Sequence, residues 1–197
     1  MITYMTKRKN ALFGMVLCML FWGLSFVSIK VAVQVYPPMT LGFLRFAIAV
    51  IFLFIIKRAF EKKTGVKEKL SKRDLPALIG ASITGVSLYF FFENNGVARV
   101  TISEASIIIG VIPVLSMAAE AVIYRIRIKA IQWAGAFVSI LGVCLVSISS
   151  IAISGSVSGY MFMGSAVICW VIYNFTTKSL SNRCSQIFIV FWQSLFG

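Results

Sequence analysis

The sequence predicts an all-α protein, a polytopic bundle of membrane-crossing helices. Three observations carry that expectation. The 197 residues are 59% hydrophobic and only 13% charged, too little polar material for the surface of a water-soluble domain. Six apolar stretches fall at 11–33, 38–56, 75–97, 101–124, 131–150 and 159–180. Each is long enough to cross a hydrocarbon core of about 30 Å at about 1.5 Å per helical residue. Basic residues, finally, are concentrated in alternate connections.

The first apolar run follows Lys7, Arg8 and Lys9. It is long for a secretory signal and lacks a small-x-small cleavage site, so it is expected to stay as a helix. Lys30 near its end has two readings: its ammonium snorkels to headgroups on an apolar stem, or it faces a cavity mouth. Pro37-Pro38 opens the second run, and Arg45 lies about 10 Å inside it. An intramembrane charge implies a bundle-facing role, with snorkelling or structural pairing as the alternative. Its guanidinium fork suits a substrate carboxylate, and Glu93 in the third run is its candidate partner.

Thr101-x-x-Glu104 starts the fourth run as a capping box, each side chain satisfying an orphan backbone N–H. Farther along, Gly110 and Pro113 mark a kink, because proline lacks the N–H that the Ile109 carbonyl would accept. That break is a candidate hinge. Glu120 lies near Arg125 and is expected to form a local ion pair. Gly23, Gly85, Gly110, Gly135 and Gly142 are expected at close helix approaches. The small-residue run 154–159 leads into the sixth stretch, and a seventh apolar run covers 186–197. Its 12 residues would reach about 18 Å as a helix, short of the roughly 30 Å core.

Sixteen of the nineteen basic residues lie at the N-terminus and in the connections after the second, fourth and sixth runs. Eight of them crowd into 57–74. Positive charge accumulates in cytoplasmic loops, so the N-terminus is expected inside the plasma membrane, which is read as a bacterial inner membrane. This placement explains the net charge of +13 without a nucleic-acid partner, and it lets the basic loops rest on anionic headgroups. The lipid bilayer is therefore the expected environment.

The chain contains no histidine, which removes zinc proteases, Ser-His hydrolases and His-ligated haem. Six acids, three of them (Glu61, Glu68, Asp74) in one loop, do not assemble a catalytic pair. No catalytic residue, metal site or cofactor is assigned. The glycine loop that cradles nucleotide phosphates is also missing from the sequence, so no ATP use is expected. Four cysteines, three within apolar runs, do not read as a disulfide framework.

A shift of 148 residues places Trp22 on Trp170, Lys30 on Lys178, Met15 on Met163, Phe43 on Phe191, and Arg45 on Gln193. Five runs fit in one period, and an odd number inverts the second copy across the membrane. Inverted repeats are the architecture of many secondary transporters. The expected division is 1–150 as a first five-helix repeat and 151–197 as the start of a second.

The series "FWGLSF…IK", "PP…LRF", "YFFFEN", "T…AS…PV" and "QWAGAFVSILGV" resembles the first half of EamA-type transporters of the drug/metabolite transporter superfamily, and "CWVIYNFTTKSL" resembles the start of their second half. Family members often carry Gly-Glu after helix four where this chain reads Arg125-Ile126. The resemblance implies ten helices in two inverted repeats and export of small metabolites or drugs through a central cavity. Two such repeats need about 300 residues, so the chain is expected to be truncated in the second and to lack transport as a monomer. The expected function is a secondary transporter, an exporter of amino acids or related compounds acting by alternating access. A non-transporting membrane subunit, or an inactive fragment, is the alternative. Expected substrate-binding residues are Trp22, Arg45, Tyr89, Glu93, Trp170 and Tyr173. Expected partners are a small-molecule substrate, a coupling proton with Glu93 its candidate site, and a second copy of the chain.

Overall fold

The computed structural model describes residues 2–147 and 155–197, with side chains described for 11–146 and 155–197. The helices are α1 (Ile2–Ala32), α2 (Pro38–Thr64), α3 (Leu75–Arg99), α4 (Ile102–Ile123), α5 (Ala130–Ser147), α6 (Val157–Ser181) and α7 (Gln186–Phe196). No strand occurs among the described residues. Among the described residues, five segments are long and apolar enough to cross a membrane: Ala11–Ala32, α2, α3, α4 and α6. α5 and α7 are shorter, and the end of the expected 131–150 span lies outside the described residues.

α2 runs eight residues past the expected boundary at 56. Those two turns are rich in good helix formers and are held by Lys57 Nζ on Glu61 Oε1 at 2.7 Å. Lys62 and Lys63 in the last turn complement the helix dipole. Gly65 then stops the helix at φ 71°, its N–H bonded to the Glu61 carbonyl; only glycine enters that left-handed region without a Cβ penalty.

α3 is the hub. It packs along α6, and α1, α2 and α7 lie against it as well. Its middle turn, Ile83–Leu88, is a π-helix. The core joins Tyr89, Val97 and Glu93 of α3 to Met163, Ala166 and Val167 of α6, with Phe26 and Ile29 of α1 on top. Close approach is permitted at Gly85 beneath the Tyr173 ring and at Gly96 beneath Met163. Gly110 makes ordinary contact with Val143, whereas Gly23, Gly135 and Gly142 face open space rather than a neighbouring helix. Their helices pack with other faces, which corrects the expectation for those three.

The capping box forms as expected: Thr101 N–H donates to Glu104 Oε2 at 2.6 Å, and Glu104 N–H donates to Thr101 Oγ1 at 3.2 Å. α4 breaks at Val111 into Ile102–Gly110 and Ile112–Ile123, with Pro113 in the first turn of the second half. Glu120, however, takes Lys178 at 2.8 Å instead of Arg125. α4 ends at Tyr124 and Arg125 adopts φ 50°, so the chain leaves the helical path that a local pair would need.

Lys30 neither snorkels nor lines a cavity mouth. Its Nζ donates to the carbonyls of Val97 and Val100 at 2.7 and 2.5 Å, closing the C-terminal end of α3, where orphan carbonyls and the dipole both favour a cation. Lys30→Met keeps the apolar stem and removes both bonds. It is expected to destabilise the protein by roughly 2 kcal/mol, within the range for hydrogen bonds to charged groups. A thermal midpoint in detergent equal to that of the parent would refute this role.

Candidate functional site

Two turns of α3 organise the site. Tyr89 and Glu93 stand one turn apart, and the Tyr89 hydroxyl donates to Glu93 Oε1 at 2.8 Å. Both side chains are buried, Glu93 at 2% exposure. α6 brings Trp170 onto the Tyr89 ring at 4.6 Å between centroids and onto Tyr173 at 5.1 Å. α1 adds Trp22, 5.6 Å from Trp170. These two tryptophans coincide under the 148-residue shift and meet as a tilted pair, their planes 42° apart. Four aromatic residues named from the sequence thus form one cluster, because rings of this size interlock in tilted pairs at 4.5–7 Å.

α2 supplies Arg45, and here the expected pairing fails. Arg45 makes no ion pair with Glu93; its guanidinium carbon lies 5.1 Å over the ring of Phe90. Phe90 in turn packs against Tyr89 and Phe46, at 4.9 and 4.8 Å between ring centroids. The geometry leaves Arg45 Nη1 and Glu93 Oε2 buried and without a hydrogen-bond partner. Arg45 is nonetheless close enough to act electrostatically on Glu93. Buried unsatisfied charge-bearing atoms cost several kcal/mol unless something else fills them.

Arg45 opens on a crevice of about 390 Å³ between α1 and α2, walled by Phe21, Leu24, Ser25, Ile29 and Leu41. A larger apolar groove of about 510 Å³ runs between α2, α3 and α7. None of the six expected binding residues lines it. Gly110 and Pro113 sit apart from the cluster, with Gly110 against α5 and Pro113 exposed.

Two residues outside the expected set join the site. Asn94, 1% exposed, donates from Nδ2 to the Pro38 carbonyl at 3.2 Å and keeps Oδ1 unpartnered. Gln193 of α7 accepts from the Tyr173 hydroxyl at 3.1 Å. Its alignment with Arg45 under the repeat was the available signal; for Asn94 it was adjacency to Glu93. Among the described residues no cluster of three metal-ligating side chains occurs.

Fold and site together define a polytopic α-helical membrane protein with a polar centre buried in its bundle. The chain belongs to the EamA-like transporter family, whose model matches residues 9–148. It is 30% identical over 168 residues to an uncharacterized transporter of Archaeoglobus fulgidus, covering 85% of this chain and 57% of that protein. It is 29% identical to a probable terminal-alkyne amino-acid exporter of Streptantibioticus cattleyicolor, covering 90% and 58%. A probable amino-acid metabolite efflux pump of Salmonella typhimurium is 28% identical, with 96% and 61% covered. The chain thus spans about three fifths of the length of these relatives. No solved structure matches it.

Proposed function

We propose that this chain belongs to a secondary transporter that exports amino acids or closely related metabolites across the plasma membrane, with its N-terminus cytoplasmic. The observation that carries the reading is a half-buried Arg45 and a buried Glu93 that form no ion pair and keep one buried, unpartnered atom each. A zwitterion fits that arrangement: its carboxylate on the Arg45 fork, its ammonium on Glu93 Oε2. Trp22, Tyr89, Trp170 and Tyr173 offer ring faces to the ammonium and to an apolar side chain. Two relatives named as exporters or efflux pumps of amino-acid compounds support the substrate class.

Glu93 serves both cargo and coupling in this scheme. A proton and a substrate ammonium compete for Oε2, so substrate leaves when a proton arrives. Residues 1–150 form one repeat and 151–197 begin its inverted counterpart, and alternating access rocks one against the other around the site. Gly110 and Pro113 supply a hinge in α4. A second copy of the chain is a candidate partner for completing the cavity wall.

Counterflow of radiolabelled amino acids in proteoliposomes tests the proposal, using both this chain and a chain of its relatives' length. Saturable, competable exchange is expected from the longer chain, and none in either would overturn the transporter reading. Arg45→Lys preserves charge but loses the bidentate fork. It is expected to raise KM for a carboxylate substrate about tenfold, equivalent to about 1.4 kcal/mol. Unchanged flux in Arg45→Ala would return this residue to a packing role against Phe90.

A further inference from the structure

The stretch from the last turn of α2 through the connection to α3 is sorted by charge sign. Its three acids are all engaged. Glu61 holds Lys57; Glu68 accepts from the Ser185 N–H at 3.0 Å and from its hydroxyl at 2.8 Å; Asp74 pairs with Arg183 at 2.9 Å. Leu70 is pressed into the cluster of Leu78, Ala81, Leu180 and Ile189. The six cations between them, Lys62, Lys63, Lys67, Lys69, Lys72 and Arg73, are all exposed. None has a carboxylate within salt-bridge distance among the described residues. The segment is therefore a strap, pinned at Glu68, Leu70 and Asp74, whose exposed charges are all basic.

Its depth is set by α2. The apolar run ends at Ile56, and Lys62 and Lys63 follow within about 10 Å along the helix, at the outer edge of a headgroup layer of roughly 5–8 Å and within reach of it for a long lysine side chain. Six like charges within twelve residues repel one another, and the acids that could offset them are occupied elsewhere. Anionic headgroups at that depth supply the missing charge.

We propose that this strap is a binding surface for anionic phospholipid, and that bound lipid holds shut the clasp between the strap and the α6–α7 connection, formed by Glu68 with Ser185 and Asp74 with Arg183. The inference goes beyond a loop resting on headgroups, because it links lipid charge to a specific contact between distant parts of the chain. It is independent of any transport activity. Without lipid the cations push the strap away from the bundle and the clasp loosens; with lipid that repulsion is neutralised.

Cys184 sits between the clasp partners and reports on it. Burial pushes its thiol up, the Asp74 and Glu68 carboxylates add to this, and Arg183 works against it. Its reaction with a water-soluble maleimide at pH 7 is accordingly slow while the clasp is closed. The experiment uses the 197-residue chain in zwitterionic detergent, with Cys18, Cys144 and Cys169 replaced by alanine. Phosphatidylglycerol, phosphatidylcholine or inorganic phosphate is titrated in, and both thermal midpoint and labelling rate are followed. Phosphatidylglycerol alone is expected to raise the midpoint and slow labelling several-fold, and the effect should fade with added salt. Each Lys→Gln change on the outer face is expected to weaken the response about fivefold, the equivalent of about 1 kcal/mol per cation. Glu68→Gln should still respond in midpoint but label fast at every lipid concentration. An equal response to phosphatidylcholine, an equal response to inorganic phosphate, or a full phosphatidylglycerol response after all six cations are neutralised would each overturn the proposal.

Discussion

Glu93→Gln is expected to abolish the pH dependence of exchange and to reduce kcat/KM for amino-acid counterflow by two orders of magnitude or more. The substitution keeps the shape of the side chain and an oxygen that accepts from the Tyr89 hydroxyl, so the α3–α6 core is left intact. What it removes is the ionisable oxygen Oε2, which has no hydrogen-bond partner in the protein. Truncating one member of a buried charge pair costs about 2–5 kcal/mol, and in the proposed scheme the lost pair is the one with the substrate ammonium. Counterflow measured at pH 6 and pH 8 distinguishes the roles. In the parent the two rates should differ, because proton and ammonium compete for one carboxylate. In the variant the residual rates should coincide. A Glu93→Gln protein with the parent's rate and pH profile would show that this carboxylate is structural and that the coupling site lies elsewhere.

Gly96→Val should have the largest effect on stability. A Cβ at Gly96 would stand 2.5 Å from Met163 Sδ and 3.2 Å from the Met163 backbone nitrogen. The thioether can swing away, but the backbone cannot, and valine adds two methyl groups on a stiff χ1. Overpacking of this kind typically costs about 1–3 kcal/mol, and here it lies on the central helix pair. The expected result is a much lower thermal midpoint and loss of the Trp22–Trp170–Tyr89 cluster, seen as altered tryptophan fluorescence. Gly164→Val on α6, where a Cβ meets nothing within 4 Å, is the matched control and should melt close to the parent. Equal midpoints for the two variants would mean that α3 and α6 do not pack at Gly96.

Features governed by neighbours in sequence were legible before any coordinates. The spans follow from apolar length, the Thr101–Glu104 capping box from a three-residue spacing, and the α4 break from a single proline without an N–H. Trp22, Tyr89, Trp170 and Tyr173 could be named because the 148-residue shift pairs the two tryptophans and the two tyrosines carry polar tips on apolar rings. That they touch was not legible, since it requires α1 and α6 to meet over α3. The π-turn at Ile83–Leu88 was equally hidden. No residue type codes for it; Gly85, which lies under the Tyr173 ring, falls within it.

The sequence by itself determined that this protein lives in a bilayer as helices, which family it resembles, and which polar residues had to be explained. Tertiary structure alone decided their partners. Opposite charge suggested Arg45 with Glu93, proximity suggested Glu120 with Arg125, and amphipathicity suggested that Lys30 reached for headgroups. Instead Phe90 fills the space beside Arg45, Lys178 arrives from α6 to take Glu120, and Lys30 finds the open carbonyls at the end of α3. The physical reason is common to all three. Each charge meets the group that the packing of distant helices brings beside it, an aromatic face for Arg45, a carboxylate for Lys178 and two carbonyls for Lys30, and a linear pattern carries no record of which helices those will be.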